Sequence, residues 1–248
     1  MKHKIKNYLS KVEITNFDKY TFITLTLIIP IILSSLYFLG FYCNSNDIIN
    51  DCPANNLVYR GNNFWSINAI TSNFIHHKEN FHIYGNISGY LIFLFIGYIS
   101  IIFQISRLKI IKLELFSWGL VLTFVTSMVF IPLMSMSQFM KKNGLDSPIF
   151  GFSGITYAII AYIVFTILTS SFYLFKYNKN IRIYYIFLII ITALTTILFF
   201  NYFINEIVNS IGNIPTHLFG VIDGVICGCF IFFIEFFKKI LKIKYKNL

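Results

Sequence analysis

Charge is scarce in this chain. Of 248 residues only 12% are Asp, Glu, Lys or Arg, and just 10 are acidic, which excludes an ordinary soluble domain. Internal repeats are missing, and with them the paired halves by which many transporters are recognised. No small-residue cleavage site follows the first apolar run, so that run is expected to be a retained span and not a signal peptide. Cysteines number four and fall into two pairs. Cys43 and Cys52 have two readings, a disulfide on the oxidising side or two free thiols, while Cys227 and Cys229 are expected to pack as small hydrophobes. What fills the chain instead is apolar: 56% hydrophobic residues, with 29 Phe and 16 Tyr.

Six apolar runs approach or exceed the ~20 residues a helix needs to cross a bilayer. They lie at about 20–43, 84–106, 113–136, 151–175, 181–204 and 217–237. Residues 1–19 and 238–248 read as basic tails around one six-span domain. The net charge of +10 could suggest nucleic acid, but the charges cluster at span ends. With an even number of spans the tails share a side, and 16 of the 20 Lys and Arg fall there. The positive-inside rule then predicts both termini in the cytoplasm, in an integral protein of the cell membrane with no nucleic-acid partner. The long loop at about 44–83 and the connection at about 137–150 are expected outside.

Polar groups within spans are expensive and point to function by default. On the second span His82 and Asn86 are spaced i, i+4, about 40° apart on a helix, with Gly85 and Gly89 on the same side. His77 is out of phase with them and is expected in the loop, beside His76. On the fourth span Ser153 and Tyr157 are again i, i+4, among Gly151, Gly154, Ala158 and Ala161, small residues that let a neighbour approach. Pro148 precedes this helix, so Ser153 should lie in its first turn, where free N–H groups favour an anion. On the sixth span His217 is followed by Gly220, Gly224 and Gly228, a glycine face within about 60° of the histidine.

Each cluster alone has a bland explanation in packing. Together they bring a serine, candidate imidazoles and an amide to similar depth on one side of the membrane. A serine hydroxyl becomes a nucleophile when a base takes its proton, and histidine is the usual base near neutral pH. His82, Asn86 and the Ser153 N–H are suitable donors for an oxyanion, and no metal or cofactor is called for. Asn86-Ile87-Ser88 matches a glycosylation sequon but sits too far into a span to be reached.

The combined set, His77-x4-His82-x3-Asn86, Gly151-x-Ser153-Gly154 with Tyr157, and His217-x2-Gly220-x3-Gly224, resembles the rhomboid intramembrane serine proteases over roughly residues 20–237. That resemblance implies a six-helix all-α bundle cleaving single-span membrane proteins with a dyad of Ser153 as nucleophile and His217 as general base. It implies that Tyr157 stacks on the His217 ring, that His82 and Asn86 join the oxyanion hole, and that His77 supports the external loops. It also implies a short fourth span that begins inside the bundle beneath a water-filled cavity.

Two features depart from the family pattern. The Trp-Arg pair that many members carry in the first external loop is not found, since Trp65 and Arg60 are separated. Asp223, about 120° round from His217, is expected to be a hydrogen-bonded carboxyl at a helix contact and not a third catalytic residue. Two rival functions remain from other classes. A proteolytically inactive relative that binds membrane proteins would be expected to lack the serine or the histidine. A transporter would carry acids near the midplane, where only Asp223 fits.

Overall fold

A computed structural model describes residues 14–40, 42–43, 59, 67–77, 80–108, 112–143, 151–177, 190, 193–194, 197–198, 201, 204 and 214–246. The first helix, α1 (Asn16–Phe38), begins where Thr15 can cap it. The Asp18 backbone N–H donates to Thr15 Oγ1 at 3.2 Å, and the Asp18 carboxylate accepts from the Thr15 backbone N–H at 2.8 Å. This reciprocal box satisfies donors otherwise left open at a helix start, so α1 begins at Asn16 and not at residue 20. A wide π turn over Thr24–Ile28 precedes Pro30, which has no N–H to donate and whose ring crowds the carbonyl one turn back.

The helix ends at Phe38, short of the expected residue 43. Gly40 takes φ +86, a left-handed conformation that stops the helix and that glycine adopts without a Cβ clash. Residues 42–43 are therefore strand. That strand, β1 (Tyr42–Cys43), pairs in parallel with β2 (His76–His77), with Tyr42 opposite His76 and Cys43 opposite His77. Between them come the one-turn helix α2 (Asn68–Thr71) and a 3-10 turn over Ser72–Phe74. Most of the expected first external loop, including Cys52, and the tail before residue 14 lie outside the described residues.

Four long helices follow: α3 (Asn80–Leu108), α4 (Leu113–Asn143), α5 (Ser153–Tyr177) and α6 (Ile214–Lys246). The helix of α4 continues through 137–143, expected as loop, and α6 continues through most of the expected tail at 238–248. Hydropathy marks only where lipid begins and ends. Gln, Met, Leu and Lys in these extensions are good helix formers, so a helix already nucleated propagates beyond the apolar part.

Among the described residues five helical segments are long and apolar enough to cross a membrane: Asn16–Phe38, Ile83–Ile102, Leu113–Ser135, Ser153–Ser171 and Thr216–Ile234. The protein is an all-α, multi-pass membrane protein. The span expected at 181–204 lies largely outside the described residues. Its described positions, 190, 193, 194, 197, 198, 201 and 204, are all helical and exposed, the spacing of a single outward face.

The core is organised around α5, whose residues 153–164 are all buried, as are 151 and 152 just before it. It packs against α6, α3 and α4, while α6 also packs on α4 and α1 leans on α4. Leu33, Leu94, Leu120, Ile159 and Ile163 belong to one apolar cluster shared by α1, α3, α4 and α5. Large apolar side chains on the outer faces, such as Leu27, Ile99, Ile226 and Phe230, stand where lipid belongs. Lipid tails solvate such groups as well as protein does, so the bundle depends on close approach and interhelical hydrogen bonds.

Candidate active site

Ser153 is the first residue of α5 and is 2% exposed. The turn before it is made by Gly151 at φ +118, a left-handed conformation that favours glycine, and its N–H donates to the Ser72 carbonyl at 3.0 Å. Phe152 is fully buried, with its ring edge-on to Tyr90 of α3 at 5.4 Å and tilted against Phe124 of α4 at 6.4 Å. Its carbonyl accepts from the Thr156 N–H at 3.0 Å and the Thr156 hydroxyl at 3.2 Å, which starts the helix. Ser153 therefore stands in the first turn of a buried helix, where backbone N–H groups have no partner within the helix and the dipole is positive.

His217 lies in the first turns of α6 and has no exposed surface. Its ring centroid is 4.5 Å from that of Tyr157, at an interplanar angle of 32°. Tyr157 is one turn below Ser153 on the same face of α5. The imidazole is thus set against the face that carries Ser153.

Glycines make this approach possible. A Cβ at Gly220 would overlap the Gly154 carbonyl oxygen, and one at Gly224 would overlap the Ala158 carbonyl oxygen. A Cβ at Gly154 would come within 2.8 Å of Ile131 Cγ2 and 2.9 Å of Thr216 Cγ2, the residue before His217. At Gly228 it would come within 2.5 Å of Phe165 Cδ1. Backbone meets backbone at Gly220 and Gly224, one turn apart on α6, and a ring packs on Gly228, the close approach the glycine spacing predicted.

The remaining expected residues are distributed as follows. Asn86 is buried on α3, one turn before Tyr90. His82 is in the first turn of α3 and His77 in β2, but their side chains lie outside the described part of the structure. Gly85, grouped with the packing stripe from its spacing, makes no close contact among the described residues: a Cβ there would meet none of them within 4 Å. At about 60° from His82 it sits at the rim of the buried face.

Asp223 is buried at the α4–α6 contact, where it accepts from Thr126 Oγ1 at 3.0 Å. Cys227 is buried one turn on, with Sγ 3.6 Å from the same hydroxyl, and Cys229 is half-buried, so both pack as expected. Among the described residues no group of three or more His, Cys, Asp or Glu could hold a metal ion.

Sequence reasoning passed over Asn73. It is 3% exposed, and its Nδ2 donates to Ala69 O at 2.9 Å, Ile70 O at 3.1 Å and, across to α4, Met128 O at 2.9 Å. The signal available was a polar residue between Ser72 and Phe74, just ahead of the histidines, together with Pro132 within an apolar span. Neither points to the other without the fold.

The chain matches no protein-family model, and no curated protein or solved structure is significantly similar to it.

Proposed function

We propose that the chain is a rhomboid-type intramembrane serine endopeptidase that cleaves single-span membrane proteins. The observation that carries this is the ring contact between His217 and Tyr157, on the α5 face that bears Ser153 one turn earlier. The first-turn position of Ser153 and the burial of Asn86 on α3 support it.

His217 takes the Ser153 hydroxyl proton as Oγ attacks the scissile carbonyl. The resulting oxyanion accepts from the Ser153 N–H, with Asn86 and His82 as further donors. The imidazolium returns its proton to the leaving amine as the C–N bond breaks, giving an acyl-enzyme and a free amino terminus. A water, deprotonated by His217, then attacks the acyl carbon and releases the carboxyl product with Ser153 restored. Tyr157 orients the imidazole throughout. Substrates with glycine or other helix-weakening residues near the cut are favoured, because a hydrogen-bonded helix hides its carbonyls. The distribution of Lys and Arg supports cleavage on the external side with both termini in the cytoplasm.

The test uses the purified full chain in lipid vesicles with a fluorogenic single-span substrate, alongside Ser153→Ala and His217→Ala. Both variants should lose cleavage while keeping the thermal transition of the unmodified protein. A serine-reactive fluorophosphonate should label the unmodified protein and not Ser153→Ala. Cleavage that survives either substitution rules out the dyad, and an unmodified protein that neither cleaves nor labels favours an inactive membrane-protein-binding relative.

A further inference from the structure

The turn that presents Ser153 is held from behind by a carbonyl that a proline sets free. Pro132 lies within α4 and has no N–H, so the carbonyl four residues earlier, that of Met128, loses its partner within the helix. The Asn73 side chain fills the vacancy, donating one amide hydrogen to Met128 O at 2.9 Å while the other is shared by Ala69 O and Ile70 O. Its neighbour Ser72 accepts at its carbonyl from the Gly151 N–H at 3.0 Å. The same stretch of α4 touches the site directly, because Ile131 lies where a Cβ on Gly154 would go.

We infer that Asn73 is a positioning residue: it ties the α2 turn to the Met128 carbonyl of α4, and that turn, through Ser72, fixes the Gly151–Ser153 corner. The inference rests on Ser153 being the nucleophile. Gly151 is in the left-handed region, and a glycine has many alternative conformations available to it, so what holds the corner decides how Ser153 is presented. Asn73 anchors this corner's support to α4 by a hydrogen bond in the interior. Near-attack geometry tolerates little displacement, so a loosened corner lowers the reaction rate before it unfolds the bundle.

The experiment measures the rate of fluorophosphonate labelling at Ser153 and the thermal transition for four proteins: unmodified, Asn73→Leu, Pro132→Ala and the double variant. Pro132→Ala gives Met128 O an N–H within the helix. It therefore relieves the buried carbonyl left by Asn73→Leu without restoring the tie to the α2 turn. Asn73→Leu should label between about 10-fold and about 100-fold more slowly than the unmodified protein. The same fold-loss should separate the double variant from Pro132→Ala, although the fall in transition temperature should be smaller in that pair. Exchange of the Gly151 amide hydrogen should accelerate in both Asn73→Leu proteins.

An unchanged labelling rate overturns the inference. So does a double variant in which rate and transition temperature recover together, since that is what filling a hydrogen-bond vacancy alone would give. If Asn73→Leu does not fold, the comparison of the double variant with Pro132→Ala carries the test. An unmodified protein that fails to label at Ser153 sinks the nucleophile assignment and this inference with it. That outcome is read before any Asn73 variant is compared.

Discussion

Near its start α4 offers the Ser117 hydroxyl to Asp18 at 2.6 Å, and eleven residues on its Met128–Pro132 turn backs onto the heads of α5 and α6. These regions are roughly 16 Å apart along the helix, and they hold buried polar groups differently. Around Asp18 the holding is by hydrogen bonds. Its carboxylate accepts from Ser117, from the Thr15 hydroxyl at 2.7 Å and from the Thr15 N–H at 2.8 Å, while Tyr98 OH stands 3.5 Å from the Ser117 oxygen. Around Ser153 and His217 hydrogen bonds hold the corner from behind, Gly151 N–H to Ser72 O and Asn73 to Met128 O, and shape sets the rest: glycine against backbone, Phe152 between two rings, imidazole against phenol. Hydrogen bonds lock the Asp18 carboxylate into a joint, whereas close packing sets the orientation of the His217 ring.

The largest effects should break this contrast at the packed end. Ser153→Ala or His217→Ala should reduce cleavage on the order of 10⁵-fold, or to the assay floor, with the melting transition unmoved. Gly224→Val should affect both properties. Its Cβ would overlap the Ala158 carbonyl oxygen, which is backbone and cannot swing away, so α6 must separate from α5. We expect a loss of about 1–3 kcal/mol in unfolding measurements together with loss of cleavage. Gly85→Ala is the internal control: none of the described residues lies within 4 Å of the new Cβ, and helix propensity predicts a gain of up to about 1 kcal/mol.

At the hydrogen-bonded end the signature reverses. Ser117→Ala removes a donor to a buried carboxylate and should reduce stability by roughly 1.5–3 kcal/mol. Cleavage per folded molecule should be unaltered. A fall in rate at unchanged stability would show that the Asp18 joint reaches the site. Tyr157→Leu should do the opposite, slowing cleavage up to about 10-fold through loss of a ring contact worth about 0.5–1.5 kcal/mol, whereas Tyr157→Phe keeps the ring and most of the rate.

The packed end was more legible in the sequence than the joints. Small residues at helical spacing announced the α5–α6 contact, because Gly220, Gly224 and Gly154 serve one function that spacing alone expresses. Apolar runs marked the five membrane-length helices among the described residues, but not where they stop. The end of α1 depends on the left-handed turn at Gly40, and the extensions of α4 and α6 depend on propensity outside lipid. Least legible were the joints: Asn73 and Met128 are 55 positions apart, Ser117 and Asp18 are 99, and no local pattern links such pairs.

Asp223 sits between the two regimes and gives the smallest effect and the most discriminating one. It is on α6, as His217 is, but its carboxylate faces α4 and accepts from Thr126. Hydrogen bonds between membrane helices average about 0.6 kcal/mol, because the separated helices find other partners. Thr126→Val keeps the shape and removes the donor, so unfolding should shift by about that amount, with the rate and its pH profile unchanged. The hydroxyl already donates to Leu122 O at 2.9 Å as well, which divides what it gives to Asp223. Asp223→Asn separates joint from chemistry. A side chain that only joins α4 to α6 can be replaced by an amide that still accepts from Thr126, leaving the pH profile of cleavage in place. A displaced profile would instead move Asp223 from the joints to the dyad.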